Sequence, residues 1–187
     1  MTSSGSVGGD ERLRLFLGFR LPAATARGVT RWQQEELGAP EQARLVPEEN
    51  LHVTIAFLGS RPAGEVRAIA GALRAGAEGS GRPVLAAVRY RETRSVGMLV
   101  FNDRDGHATR IAEDVHGRLA RLGVYEPEQR PWLPHLTVVR FRSRPRLQPP
   151  IPDLGPVTMS DAAVYISRLR PTGAQYEVME SVPLGGG

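Results

Sequence analysis

Two short runs of the chain carry residues able to do acid–base chemistry. The first is Asn50-Leu51-His52-Val53-Thr54-Ile55-Ala56-Phe57-Leu58-Gly59. The second, Trp132-Leu133-Pro134-His135-Leu136-Thr137-Val138-Val139-Arg140-Phe141, repeats its pattern. In each, a histidine and a threonine lie two residues apart within a β-branched, apolar stretch, a composition that predicts a strand. Alternation along a strand places His52 and Thr54 on one face and Val53 and Ile55 on the other. The same parity separates His135 and Thr137 from Leu136 and Val138. One face enters a core, and the other presents an imidazole and a hydroxyl. The runs are far apart in the chain, so the duplication predicts one site assembled from two halves.

Histidine titrates near neutrality, so a neutral ring accepts a proton while a charged one donates it. Threonine hydroxyls donate to an anionic oxygen without adding charge. Arg140 is suited to neutralise that oxygen by bidentate contact. Its odd offset from His135 puts it nominally on the opposite face, so it serves only where the strand twists or ends. A phosphodiester fits this set: opening it with water needs a base, an acid and donors around the phosphoryl oxygens. Such a pair predicts a bell-shaped pH profile with its maximum near neutrality. A third His-x-Thr, at His107 and Thr109, lacks β-branched flanks and sits at a predicted helix start, where residues two apart share no face. It reads as a surface or capping element. His116 falls on the opposite side of that helix, so the two make no metal pair.

Positioning these strands falls to a chain of 187 residues, 41% hydrophobic and 24% charged, which suits one globular domain with a proper core. The net charge of +4 and the absence of lysine leave arginine as the sole strong base. Its fixed fork suits phosphate, although arginine-only usage reads first as the base composition of a genome. With no cysteine, disulfides, thiolate nucleophiles and thiolate metal sites are excluded. Histidine paired with threonine rather than carboxylate is a poor zinc shell, so no metal site is expected. No apolar run approaches the roughly 20 residues of a membrane span. Residues 1–10 are Gly/Ser-rich without a signal-peptide core, and read as a disordered tail ahead of a single domain at 11–184. A cytoplasmic monomer is the expectation.

Periodicity predicts a strand over 13–19 and a helix from Pro22 to about Leu37, stopped by Gly38 and Pro40. An extended piece at 44–47 precedes the first motif strand at 51–58. A helix over 63–77 and strands at 84–90 and 96–101 follow. Asp105 is placed to cap a third helix running to about Leu122. After the second motif comes an arginine- and proline-rich connection at 142–156. Strands at 157–167 and 175–182 and a frayed glycine end complete the chain. This order predicts an α+β fold with two lobes.

The paired motifs resemble those of the two-histidine (2H) phosphoesterases, and among them the RNA 2′,3′-cyclic phosphodiesterases, also called 2′–5′ RNA ligases. The stretch from Arg12-Leu13-Arg14-Leu15-Phe16 to Leu21-Pro22 is similar to that family's opening strand and helix start. Gly173-Ala174-Gln175-Tyr176 loosely fits a Gly-x-x-Tyr segment of relatives. The resemblance covers residues 12–182. It implies a bilobal, duplicated α+β fold: antiparallel sheets flanked by helices, with a central cleft between the lobes. It implies hydrolysis of a ribose 2′,3′-cyclic phosphate to a 2′-phosphate with no metal or nucleotide cofactor, on RNA ends or a small cyclic nucleotide, with ATP-independent 2′–5′ ligation as a further capacity. By position, His52 would be the acid toward the departing 3′ oxygen and His135 the base toward water. Thr54, Thr137 and Arg140 would hold the phosphate. Two rival readings stand beside it. One is an RNA-binding module without turnover, in which Arg140, Arg142, Arg144 and Arg146 track a backbone and Trp132, Phe141 or Tyr176 stacks a base. The other is a relative acting on a small cyclic phosphodiester or a 2′–5′ oligonucleotide.

Overall fold

The computed structural model describes residues 11–38, 43–171 and 173–185. The expected tail at 1–10, the helix-stopping Pro40 and the last two glycines lie outside the described residues. Nine strands occur among those described: β1 (Arg12–Arg20), β2 (Ala43–Leu45), β3 (His52–Pro62), β4 (Val84–Glu92), β5 (Val96–Asp103), β6 (His135–Phe141), β7 (Val157–Thr158), β8 (Asp161–Arg170) and β9 (Gly173–Pro183). Three α-helices join them: α1 (Ala23–Trp32), α2 (Val66–Ala77) and α3 (His107–Arg121). The strands form one antiparallel sheet in the order β7-β4-β5-β6-β3-β1-β8-β9, with β2 added against β6. It has two halves, β7-β4-β5-β6 and β3-β1-β8-β9, that meet at one aligned pair, Val53 opposite Leu136. The motif strands therefore touch near their first residues and then diverge, which opens a cleft between two lobes of an α+β fold.

β1 lies between β3 and β8, so both its edges are hydrogen-bonded. Leu15, Leu17 and Phe19 enter the main core, while Phe16 joins a separate cluster with Tyr165 and Tyr176. Helix α1 continues through a π-helical turn, Gln33–Leu37, until Gly38 (φ 60°) ends it. The widened turn carries Gln33 inside, where its amide donates to the carbonyls of Val46 (3.1 Å) and Val138 (2.6 Å). The helix is thereby tied to the second motif strand. Helices α2 and α3 pack closely at Gly76, where a Cβ would lie 2.6 Å from Val115 Cγ2.

Two local expectations need correcting. Asp105 does not cap α3. The turn at Gly106 (φ 69°) instead brings back Asp103, which accepts from the Thr109 N–H (2.8 Å) and hydroxyl (2.7 Å). The strand expected over 157–167 is two strands, because the chain crosses between halves at Met159-Ser160: β7 pairs with β4 and β8 with β1. The arginine- and proline-rich connection is held against the fold at two places. Trp32 donates its indole N–H to Pro150 O (2.8 Å). The Glu92 side chain, only 2% exposed, accepts from the Arg144 guanidinium (3.1 Å) and from the N–H groups of Arg146 (3.0 Å) and Leu147 (2.8 Å). Among the described residues no helix is long and apolar enough to cross a membrane.

Candidate active site

Strand parity holds where the two halves meet. His52, Thr54, His135 and Thr137 are half-buried, and Val53, Ile55, Leu136 and Val138 behind them are buried. The antiparallel register through Val53 and Leu136 sets His52 across from Thr137 and Thr54 across from His135. Each ring is anchored the same way. His52 Nδ1 lies 2.7 Å from Asn50 O, and His135 Nδ1 lies 2.8 Å from Leu133 O. A carbonyl only accepts, so Nδ1 carries the hydrogen in both rings and Nε2 is the nitrogen left for chemistry.

Arg140 reaches the cleft through a β-bulge. In the β5–β6 ladder Gly97 pairs with Val139 and Met98 with Thr137, so Val138 is an extra residue. Both Val138 and Val139 are buried, and the parity of the strand is reset. Arg140 thus shares a face with His135 despite its odd offset. The first motif does the same: Leu17 pairs with Ala56 and Gly18 with Thr54, leaving Ile55 bulged. Phe57 consequently turns outward, 63% exposed, at the position matching Arg140. Sequence reasoning passed over Phe57. The doubled apolar pairs Ile55-Ala56 and Val138-Val139, after each threonine, are the signal that would have found it.

An aromatic wall surrounds His52. Its ring centroid lies 4.7 Å from Phe16, 5.4 Å from Tyr176 and 5.8 Å from Tyr165, with Tyr165 stacked on Phe16. Burial therefore lowers the His52 pKa from 6.5 to about 4. The bond to Asn50 opposes this, and the nearby charges of Arg140 and His135 add to it. Tyr165 is pushed the other way, up to about 12, again chiefly by burial, so it stays protonated. The expected Gly-x-x-Tyr segment that carries Tyr176 is tied to the first motif by Asn50, whose amide donates to Ala174 O (2.8 Å). Trp132 donates to Thr54 O (3.0 Å) and ties the segment leading into β6 to β3. Phe141, considered above as a stacking residue, is buried in the core. Arg144 is engaged by Glu92. His107 lies at the start of α3 against Arg110, away from the site. His116 is a prop: its Nε2 lies 2.7 Å from Ile55 O, at the β3 bulge.

Gly18 is a further residue that sequence reasoning missed. A Cβ there would lie 3.1 Å from both His52 Cδ2 and Val53 O. Gly18→Ala is expected to displace the His52 ring and lower activity about 10-fold, since small misplacements of reacting groups are costly. Thermal melting should move little by comparison. A variant with wild-type turnover would show that the close approach is irrelevant.

Pockets open on either side of the histidines. One, of about 870 Å³, is lined by Thr54, Phe57, Arg89, Met98, Trp132 and His135 among others. Another, of about 520 Å³, is lined by Arg14, Phe16, Arg44, Phe57, Arg140 and Tyr176 among others. Among the described residues no three histidine, aspartate or glutamate side chains converge as a metal site would require.

Comparison with known proteins agrees with this geometry. The family model described as LigT like Phosphoesterase matches residues 19–89. An RNA 2′,3′-cyclic phosphodiesterase of Methanothermobacter thermautotrophicus is 30% identical over 185 residues, spanning 90% of this chain and 97% of the relative. One of the same name from Escherichia coli is 30% identical over 144 residues, spanning 75% of this chain and 79% of the relative. The crystal structure of E. coli LigT complexed with 3′-AMP shares the fold, with a TM-score of 0.82 at 22% identity over 94% of this chain and 100% of that one. Matched along most of these relatives' length, and carrying both motifs on one cleft, the chain belongs to the LigT-like family of two-histidine phosphoesterases.

Proposed function

We propose that the protein hydrolyses the 2′,3′-cyclic phosphate at an RNA 3′ end to a 2′-phosphate, using His52 and His135 as its acid–base pair and no metal. The observation that carries this reading is the matched anchoring of two imidazoles, each held at Nδ1 by a carbonyl, on strands that meet at Val53 and Leu136. In the hydrolytic step His135 takes a proton from water as its oxygen bonds to phosphorus. The bond from phosphorus to the 3′ oxygen breaks, and His52 supplies that oxygen with a proton. Thr54 and Thr137 donate to the phosphoryl oxygens and Arg140 balances their charge. A ribose 5′-hydroxyl in place of water would yield a 2′–5′ linkage by the same steps, without ATP. The relatives named as RNA 2′,3′-cyclic phosphodiesterases support the substrate class. Burial of Phe141 and engagement of Arg144 by Glu92 weigh against a binding module without turnover. We place the activity in residues 11–184, acting as one monomeric cytoplasmic domain.

The test is turnover of adenosine 2′,3′-cyclic phosphate by purified protein in excess chelator, with the product identified by phosphorus NMR. Adenosine 2′-phosphate should accumulate at the same rate with and without chelator. Activity that vanishes in chelator and returns with a divalent cation would overturn the mechanism. A 3′-phosphate product would reverse the assignment of the leaving oxygen.

A further inference from the structure

The pocket on the β1 side of the cleft is lined by basic side chains from three strands. Arg14, Arg44 and Arg140 all line it, and no acidic side chain does among the described residues. Two of these arginines stand directly opposite each other in the β2–β6 ladder, Arg44 facing Arg140. Arg140 is close enough to the histidines to act on the charge of His52. Arg14 stands two residues from Phe16 on β1, on the same face and about 7 Å further along the strand. Phe16 in turn touches the His52 ring. The three arginines therefore line one pocket beside the cleft. Each offers a planar fork suited to phosphate oxygens.

We propose that Arg14 and Arg44 form a subsite for a second phosphate, the one on the 5′ oxygen of the nucleotide whose cyclic phosphate reacts. This rests on the cyclic phosphodiesterase reading and gives it a substrate preference. An RNA end carries that 5′ phosphate as its last internucleotide linkage, whereas a free nucleoside 2′,3′-cyclic phosphate lacks it. The enzyme is thereby directed to polynucleotide ends over cyclic mononucleotides, with Arg14 and Arg44 receiving the last internucleotide phosphate.

The experiment isolates that one group. Hydrolysis of adenosine 2′,3′-cyclic phosphate is compared with hydrolysis of the same compound bearing a 5′-phosphate. The wild-type protein should favour the 5′-phosphorylated compound in kcat/KM by about 10-fold, the scale of one charge-assisted contact. Arg14→Ala and Arg44→Ala should each bring the ratio toward one, while Arg89→Ala, in the opposite pocket, should leave it intact. Because the ratio is taken within one preparation, a partly unfolded variant still reports. A wild-type ratio of one, or a ratio that collapses in Arg89→Ala alone, overturns the subsite. A second arm is independent of turnover. Calorimetry should show adenosine 2′,5′-bisphosphate binding more tightly than adenosine 2′-phosphate, with the difference lost in Arg14→Ala. If neither cyclic compound is hydrolysed, the functional reading fails, and the calorimetric difference still decides the subsite.

Discussion

Replacing His52 or His135 by alanine lowers kcat for cyclic phosphate hydrolysis by about 10²-fold or more, the scale of losing a general acid or base. The double replacement falls well short of the product of the two single losses, because both rings serve one proton-transfer step and act as a unit. Thr54→Ala, Thr137→Ala and Arg140→Ala cost less individually, since each removes one contact to the phosphate and leaves proton transfer in place. His107→Ala supplies the control. Its His-x-Thr context matches in letters, but it sits at the start of α3 against Arg110 and leaves the rate unchanged. His116→Ala is not an equivalent control, because it removes the donor to Ile55 O at the bulge that sets the face of Phe57. Steady-state kinetics on the five site variants and His107→Ala decide the matter. A loss in His107→Ala as large as that in His135→Ala would mean that the wrong His-x-Thr pair had been chosen.

The residues at the centre of the site were legible because a strand has one simple rule, alternation, and both motifs obey it through His-x-Thr. The rule fails one residue later. Nothing in the letters Val138-Val139 marks one of them as an extra residue in the ladder, so Arg140 read as pointing away from the cleft it lines. Only comparison of the two motifs exposes the bulge, since each carries a doubled apolar pair after its threonine. Gly18 was invisible for a different reason. Its role is an absence of atoms beside His52, and that appears only once β1 is laid against β3. The stretch from Val157 to Ile166 is apolar enough to read as one strand. Its break at Met159-Ser160 is set by the topology, as the chain leaves one half of the sheet for the other. Asp103 outcompetes Asp105 as the cap of α3 because the left-handed Gly106 folds the chain back on itself, and a cap assigned by proximity in sequence takes no account of that turn.

The pH profile of kcat/KM should be a bell displaced to the acid side of neutrality, rather than centred on it as two ordinary histidines would give. The cause is His52, whose pKa is lowered to about 4 first by burial and then by Arg140 and His135, against the opposing bond to Asn50. Its acid limb should fall near that value, and Phe16→Ala, which opens the aromatic wall, should move the limb upward. The same ring leaves a mark on stability. Above pH 6.5 it is neutral folded or unfolded. As pH falls from there toward 4 the unfolded chain takes up the proton first, so the fold loses stability across that window. The profile does not say which ring is the acid, because a bell reports two pKa values and not which of them belongs to which role. A low pKa makes His52 neutral in the free protein. If it is the acid, as its place in the first motif implies, its proton must arrive with the substrate, whose negative charge opposes the fields of Arg140 and His135. Sulfur in place of the bridging 3′ oxygen separates the roles. A thiolate, with a thiol pKa near 8.5, leaves without needing a proton. The loss caused by His52→Ala should therefore shrink toward wild type on the sulfur-bridged substrate, while the loss caused by His135→Ala should persist, because water must still be deprotonated. The opposite pattern would exchange the two roles. Equal losses on both substrates would remove general acid catalysis from the mechanism altogether.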